Sequence, residues 1–261
     1  MIDIRRWWTA SVLVLALLLT GWWLLPRLNR AATPVSLPSW PGASRTPPAP
    51  VPPPPPISAT SAPVPVDLLT IPGKLPTRGT GKFGYAAGLG KILGTEGPVR
   101  RFRVAVERGG GEDVAVFAAQ VVATLGDRRS WAGGGRLRLQ RVDGGAKSDF
   151  TVYLATRDTA GRMCANGGVN IRVDGRPYTS CRSTGKVIVN LDRWRLSAKP
   201  YLNAKVPLTV YRQYVINHEV GHELGHSHRS CPRRGGRAPI MMQQTLALRG
   251  CSPNAWPRPA R

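Results

Sequence analysis

The sequence predicts an α/β (α+β) domain on a twisted mixed sheet, with one helix backing the sheet and a second helix carrying a chemical site. Three observations predict it. Apolar and polar residues alternate in strand fashion at 99–107 and 136–142, and 149–155 reads as a further strand. A helical run at 112–125 separates the first of these from the second. All four histidines fall in one stretch, 218–228, at the end of a second amphipathic run. Strand, helix, strands and helix in that order suit a layered α/β arrangement.

Two segments precede the domain. Residues 1–30 contain a nearly unbroken apolar run from Trp7 to Leu25, long enough to span a bilayer core as a helix. Arg5, Arg6, Arg27 and Arg30 flank it, and Trp7, Trp8, Trp22 and Trp23 fall where interfacial aromatic belts sit. A cleaved signal peptide is the rival reading, but the run exceeds a usual h-region and no A-x-A site follows. The expectation is an uncleaved membrane anchor. Residues 31–67 read as a proline-rich linker, stiffest at 52–56. In polyproline II form, at about 3.1 Å per residue, it would reach on the order of 100 Å. Residues 68–98 are glycine-rich and weakly patterned, and read as an irregular lead-in. The folded domain is expected over 99–261.

Lys and Arg number 37 against 14 Asp and Glu, a formal charge of +23. That balance suits anionic partners, either acidic lipid or an anionic wall polymer. Nucleic acid is set aside: the arginines are dispersed, and four cysteines behind an anchor and linker suit an oxidising exterior, which puts the domain outside the cytoplasm. A basic surface with no dedicated partner is the plain alternative.

Within the domain, Phe102, Val104 and Val106 share one face of the first strand. Glu112 and Asp113 open the 112–125 helix at the positive end of its dipole, and Gly126 stops it. Leu137 and Leu139 point inward from 136–142, and Lys186–Asn190 is a short apolar strand. The last helix begins near Pro207. Cys164, Cys181, Cys231 and Cys251 permit three pairings. Nearest-neighbour bonds, Cys164–Cys181 and Cys231–Cys251, each close a short loop and are favoured. Cysteine ligation of a metal lacks a C-x-x-C pair, and free thiols suit an oxidising exterior poorly.

The 218–228 stretch reads H-E-x-x-H-x-x-G-x-x-H at His218, Glu219, His222, Gly225 and His228. Residues four apart share a helix face, so His218 and His222 can meet one zinc ion with Glu219 beside them as general base. The third ligand is His226 or His228. His226 lies roughly 12 Å along a straight helix from His218, at 1.5 Å per residue, too spread for ligand bonds of about 2 Å. Gly225 can end the helix in a left-handed turn and let His228 swing back. His228 is therefore the expected ligand.

This pattern is the metzincin signature, and the domain resembles that clan of zinc peptidases. The resemblance implies a metzincin-like zincin fold and a methionine turn beneath the metal, for which Met241 is the candidate and Met242 the alternative. No tyrosine follows the methionine, so a tyrosine assisting at the metal has no counterpart. Over about residues 95–257 the chain also resembles an actinobacterial family of membrane-anchored, zincin-like proteins. Residues 214–222, 238–241, 243–245 and 250–254 carry that likeness. The expected function is an extracytoplasmic, membrane-anchored zinc peptidase acting on peptides. A hydrolase of cell-wall peptides, or a non-catalytic zinc-stabilised envelope-binding protein, are the alternatives.

Overall fold

The computed structural model describes residues 68–259. The expected anchor, 1–30, and linker, 31–67, lie outside the described residues. Among the described residues no helix is long and apolar enough to cross a membrane.

A seven-stranded mixed sheet organises the fold. Its strands are β1 (Phe83–Tyr85), β2 (Ile92–Leu93), β3 (Val99–Glu107), β4 (Arg138–Arg141), β5 (Phe150–Ala155), β8 (Cys181–Ser183) and β9 (Lys186–Asn190). The spatial order is β2-β4-β3-β5-β9-β8. The centre, β4-β3-β5-β9, is parallel, whereas β2 and β8 are antiparallel edges. β1 pairs with 105–107 of β3, and β4 with 99–102, so each takes one end of the longest strand. β6 (Arg172–Val173) and β7 (Arg176–Pro177) form a separate hairpin. Asp174 and Gly175 turn it, both at positive φ as a two-residue hairpin loop requires.

Helices cover both faces. α1 (Val114–Gly126) and α5 (Leu208–Glu223) bury Phe117, Val121, Leu125, Leu208, Val215 and Val220 in one core with Phe102, Val104, Val152, Val187 and Val189 of the sheet. Ile188 points the other way, with Cys181, against α2 (Arg157–Asn166). The alternation along β9 thus feeds two layers, as a strand's period of two requires. α3 (Leu191–Leu196) and α4 (Lys199–Asn203) lead from β9 to α5.

Several expectations need adjustment. The first helix runs 114–126 rather than 112–125, because Asp113 is its cap: the carboxylate accepts from Val116 N at 2.8 Å. The 68–98 stretch is not merely irregular, since it supplies β1 and β2. The buried carboxylate of Glu107 fastens it, accepting from Gly81 N, Thr156 N and the hydroxyls of Thr156 and Thr159. α2 falls in sequence with no apolar period. Its Gly161 is where a Cβ would lie 2.6 Å from Pro177 Cγ. Both nearest-neighbour disulfides are present, Cys164–Cys181 and Cys231–Cys251.

Candidate metal centre

α5 supplies the first three residues of the site. Its start follows Pro207, and its inner face is apolar and aromatic, with Tyr211, Tyr214 and Val215 buried. One turn past Tyr214 comes His218, and one turn further His222, on the same side of the helix. The helix ends as the sequence suggests. Gly225 sits at φ +93°, Gly225 N donates to His222 O at 3.1 Å, and His226 N donates to Gly221 O at 2.9 Å. Those paired bonds are a Schellman motif, and they reverse the chain. The reversal returns His228 to the two helical histidines.

One ligand atom from each of His218, His222 and His228 lies within 4.8 Å of the others, so the triad can hold a metal ion. His222 Nε2 and His228 Nε2 are 3.0 Å apart. Nitrogens arranged tetrahedrally at about 2.0–2.1 Å from one ion would be about 3.4 Å apart, so only a small adjustment separates the two. The tautomers fit as well. His218 Nδ1 faces Ile240 O at 2.8 Å and His222 Nδ1 faces His226 O at 2.8 Å. A carbonyl fixes the proton on Nδ1 and leaves Nε2 as a lone-pair donor, the usual support of a ligating imidazole. His226 does not join the triad; its ring stacks on Trp131 at 4.4 Å between centroids.

Burial sets the electrostatics. It pushes His218 down to about 3, with smaller effects from the neighbouring His222 and His228. It also lowers His222, helped by the charges of His228 and Arg182, and it lowers His228. In each case the neutral form, the one that binds a cation, is favoured. Burial drives Glu219 the other way, up to about 8. Among the described residues its carboxyl makes no hydrogen bond, and it lines the cleft that opens over the triad. That cleft encloses about 560 Å³, and Ile171, Thr179, Arg182, Gln243 and Leu246 are among the residues that line it.

Met241 packs against α5 at Gly221. A Cβ at Gly221 would stand 2.5 Å from Met241 Sδ and 2.7 Å from Trp131 Cζ2, so the helix can seat both only through a glycine. Met242, the alternative, packs elsewhere, against Ala238 and Cys251. The carbonyls of three consecutive residues hold this turn: Ile240 O meets His218, Met241 O accepts from Arg229 N, and Met242 O accepts from the Tyr214 hydroxyl. Cys231–Cys251 closes the loop around it.

Sequence reasoning missed four contributors. Glu223, one residue after His222, is buried and bonded to Arg182 at 2.7 Å. Trp131 donates from Nε1 to Asn217 O at 2.8 Å and supports the helix from a short 3₁₀ turn, Trp131–Gly134. Asn217 receives Ser130 Oγ and donates to Ala255 O, tying α5 to the chain's last stretch. The signal for Gly221 was available: a glycine inside an otherwise regular helix marks a close approach.

A mixed α/β domain with a supported three-histidine centre is thus the class that fold and site define. The chain belongs to DUF3152, described as a protein of unknown function, whose family model matches residues 70–259. No curated protein and no solved structure matches it.

Proposed function

We propose that the domain is a metzincin-like zinc peptidase that hydrolyses peptide bonds. The observation that carries this reading is the pairing of a supported histidine triad with a buried, unengaged carboxyl, Glu219, on the residue after the first ligand. A site kept only for structure has no use for that carboxyl. His218, His222 and His228 would hold the ion, and an all-imidazole set with no carboxylate favours zinc over the hard cations. Zinc bound there would polarise the scissile carbonyl, acidify the attacking water and draw the raised Glu219 pKa back toward neutrality. Glu219 takes the proton from the attacking water on a carboxylate oxygen and delivers it to the leaving nitrogen. The cleft gives an extended peptide a place to lie: it runs beside β8, an edge of the sheet, and a sheet edge pairs with extended chains.

The two disulfides support an extracytoplasmic setting for the domain. Attachment to an anionic wall polymer accompanies the reading. Arg229, Arg233, Arg234, Arg237 and Arg249 are exposed, and no Asp or Glu follows Glu223. Peptides of the cell wall are substrates of the same chemistry.

The test is cleavage of a diverse peptide library and of isolated peptidoglycan by the zinc-loaded chain, scored by mass spectrometry. Glu219→Ala should keep zinc and lower turnover by roughly 10²–10⁴-fold, the usual worth of a positioned acid–base group. Equal products at equal rates from both proteins, or none from either, would leave a zinc-stabilised binding domain as the function.

A further inference from the structure

We propose that Arg182 forms a carboxylate-binding subsite in the cleft, so that the ligand carries a carboxylate beside the segment lying at the histidine triad. The description of that ligand as a peptide rests on the peptidase reading; the subsite itself rests on the following observations.

The first is the charge inventory of the cleft. Apart from the histidines, its lining holds one acid, Glu219, and one cation, Arg182; the other residues are neutral. An anionic ligand group entering the cleft therefore has one side chain of permanent positive charge to meet.

The second is how Arg182 is held. Its Nε donates to Glu223 Oε2 at 2.7 Å, and the Glu223 side chain is only 4 % exposed. Gly185 N donates to the same oxygen at 3.2 Å, and Arg100 Nη2 stands 3.6 Å from the other. Glu223 thus serves two guanidinium groups, and the trio keeps a net positive charge. The Arg182 backbone is fixed too: it sits opposite Val187 in the β8–β9 ladder, next to the Cys181 disulfide. The guanidinium is oriented before any ligand arrives, which removes most of the ordering cost of binding.

The third is what remains free. Among the described residues, neither Nη1 nor Nη2 of Arg182 has a partner, and the side chain is 31 % exposed. Those nitrogens carry four of the five N–H groups of a guanidinium, in the fork that matches a carboxylate. Arg182 lines the cleft with these two nitrogens unpartnered, which a task that ended at Glu223 would not require. The carboxylate can come from an acidic side chain or from the free end of a chain, and the chemistry at Arg182 is the same.

Four matched peptides separate these sources: one with an internal Glu, its Gln counterpart, one ending in a free carboxylate and its amide. Binding is measured by calorimetry on the zinc-loaded Glu219→Ala chain and on the metal-free wild type. Cleavage is measured on the zinc-loaded wild type. One carboxylate peptide should bind about 10- to 100-fold tighter than its neutral partner, the worth of a hydrogen-bonded charge. Arg182→Gln should abolish that preference while changing neutral-peptide binding less than about threefold, and Arg182→Lys should retain part of it. The proposal is overturned if wild type shows no preference, or if Arg182→Gln weakens acidic and neutral peptides alike, as a purely structural role would. Preference without cleavage would sustain the subsite and sink the peptidase reading. Cleavage without preference would do the reverse, and a chain that binds and cleaves none of the four sinks both.

Discussion

α5 stands between two regions made in different ways. On one side are the sheet and α1, with long parallel ladders and a continuous apolar core. On the other are residues 224–259, which contain no helix or multi-residue strand and only one isolated bridge, Arg237 to Ser252. That second region is held by a disulfide and by a few amide side chains acting as backbone substitutes. Gln244 Oε1 accepts from Tyr201 and Asn254 N, Gln244 Nε2 donates to Asn254 O, and Asn254 Nδ2 donates to Ala238 O. Burial spreads the sheet's stability over many residues, each worth a small share. The irregular lobe concentrates its order in a few polar atoms, where losing one partner strands another. Yet the lobe delivers His228, the Ile240 carbonyl and Met241. The lesson is that regular structure aims the helix, and irregular structure completes the centre.

The largest expected effect lies on the lobe's ligand. His228→Ala should strip zinc from dialysed protein, whereas His226→Ala should keep it and lose only the stacking on Trp131, worth about 1 kcal/mol. Metal analysis of the two variants decides it; the opposite pattern would mean that the Schellman turn does not select the third ligand.

Next come the disulfides, which close loops of similar length, with sequence separations of 17 and 20. Each double Cys→Ser variant should cost about 3 kcal/mol. Only loss of Cys231–Cys251 should also weaken zinc binding, by roughly 10- to 100-fold, the effect of disturbing atoms that orient ligands. Equal zinc affinity in both variants would erase the division of labour between the two regions.

A last effect, read on the metal-free chain, is a pH dependence. His218 falls from 6.5 to about 3 on folding, so below pH 6.5 the unfolded chain binds more protons and stability drops as pH falls. Glu219 rises from 4.5 to about 8, so above pH 4.5 the folded chain binds more protons and stability drops as pH rises toward 8. Between 4.5 and 6.5 the two slopes oppose each other. Glu219→Gln should therefore gain in Tm relative to wild type as pH rises from 5 to 8. A constant difference across that range would show that Glu219 does not titrate as its burial demands.

Much of this was legible in the sequence, and the pattern of success is physical. β3 is long enough for alternation to show, β9 reads as an apolar run, and the expected limits of β3, β5 and β9 fall within a residue of those observed. β2, β6 and β7 have two residues each and carry no period at all. α2 is polar and holds a glycine, so only its contacts with β7–β9 make it a helix. At the site, His218, Glu219 and His222 follow from helical spacing, and His228 from Gly225. Arg182 and Trp131 reach α5 across 41 and 86 residues of chain, and no local pattern announces such meetings.

The two contacts that fix ligand tautomers have a bearing on mutational robustness. Both are made by carbonyl oxygens, at Ile240 and His226, and every amino acid carries one. A substitution at either position changes the side chain and leaves the orienting atom where it was. Side-chain scanning would read the packing of Ile240 in the core and the stacking of His226 on Trp131, and would miss that the backbone at each position steers an imidazole. The steering itself constrains the backbone path through Gly225 and the 239–242 turn, while packing alone constrains the residue types at 226 and 240.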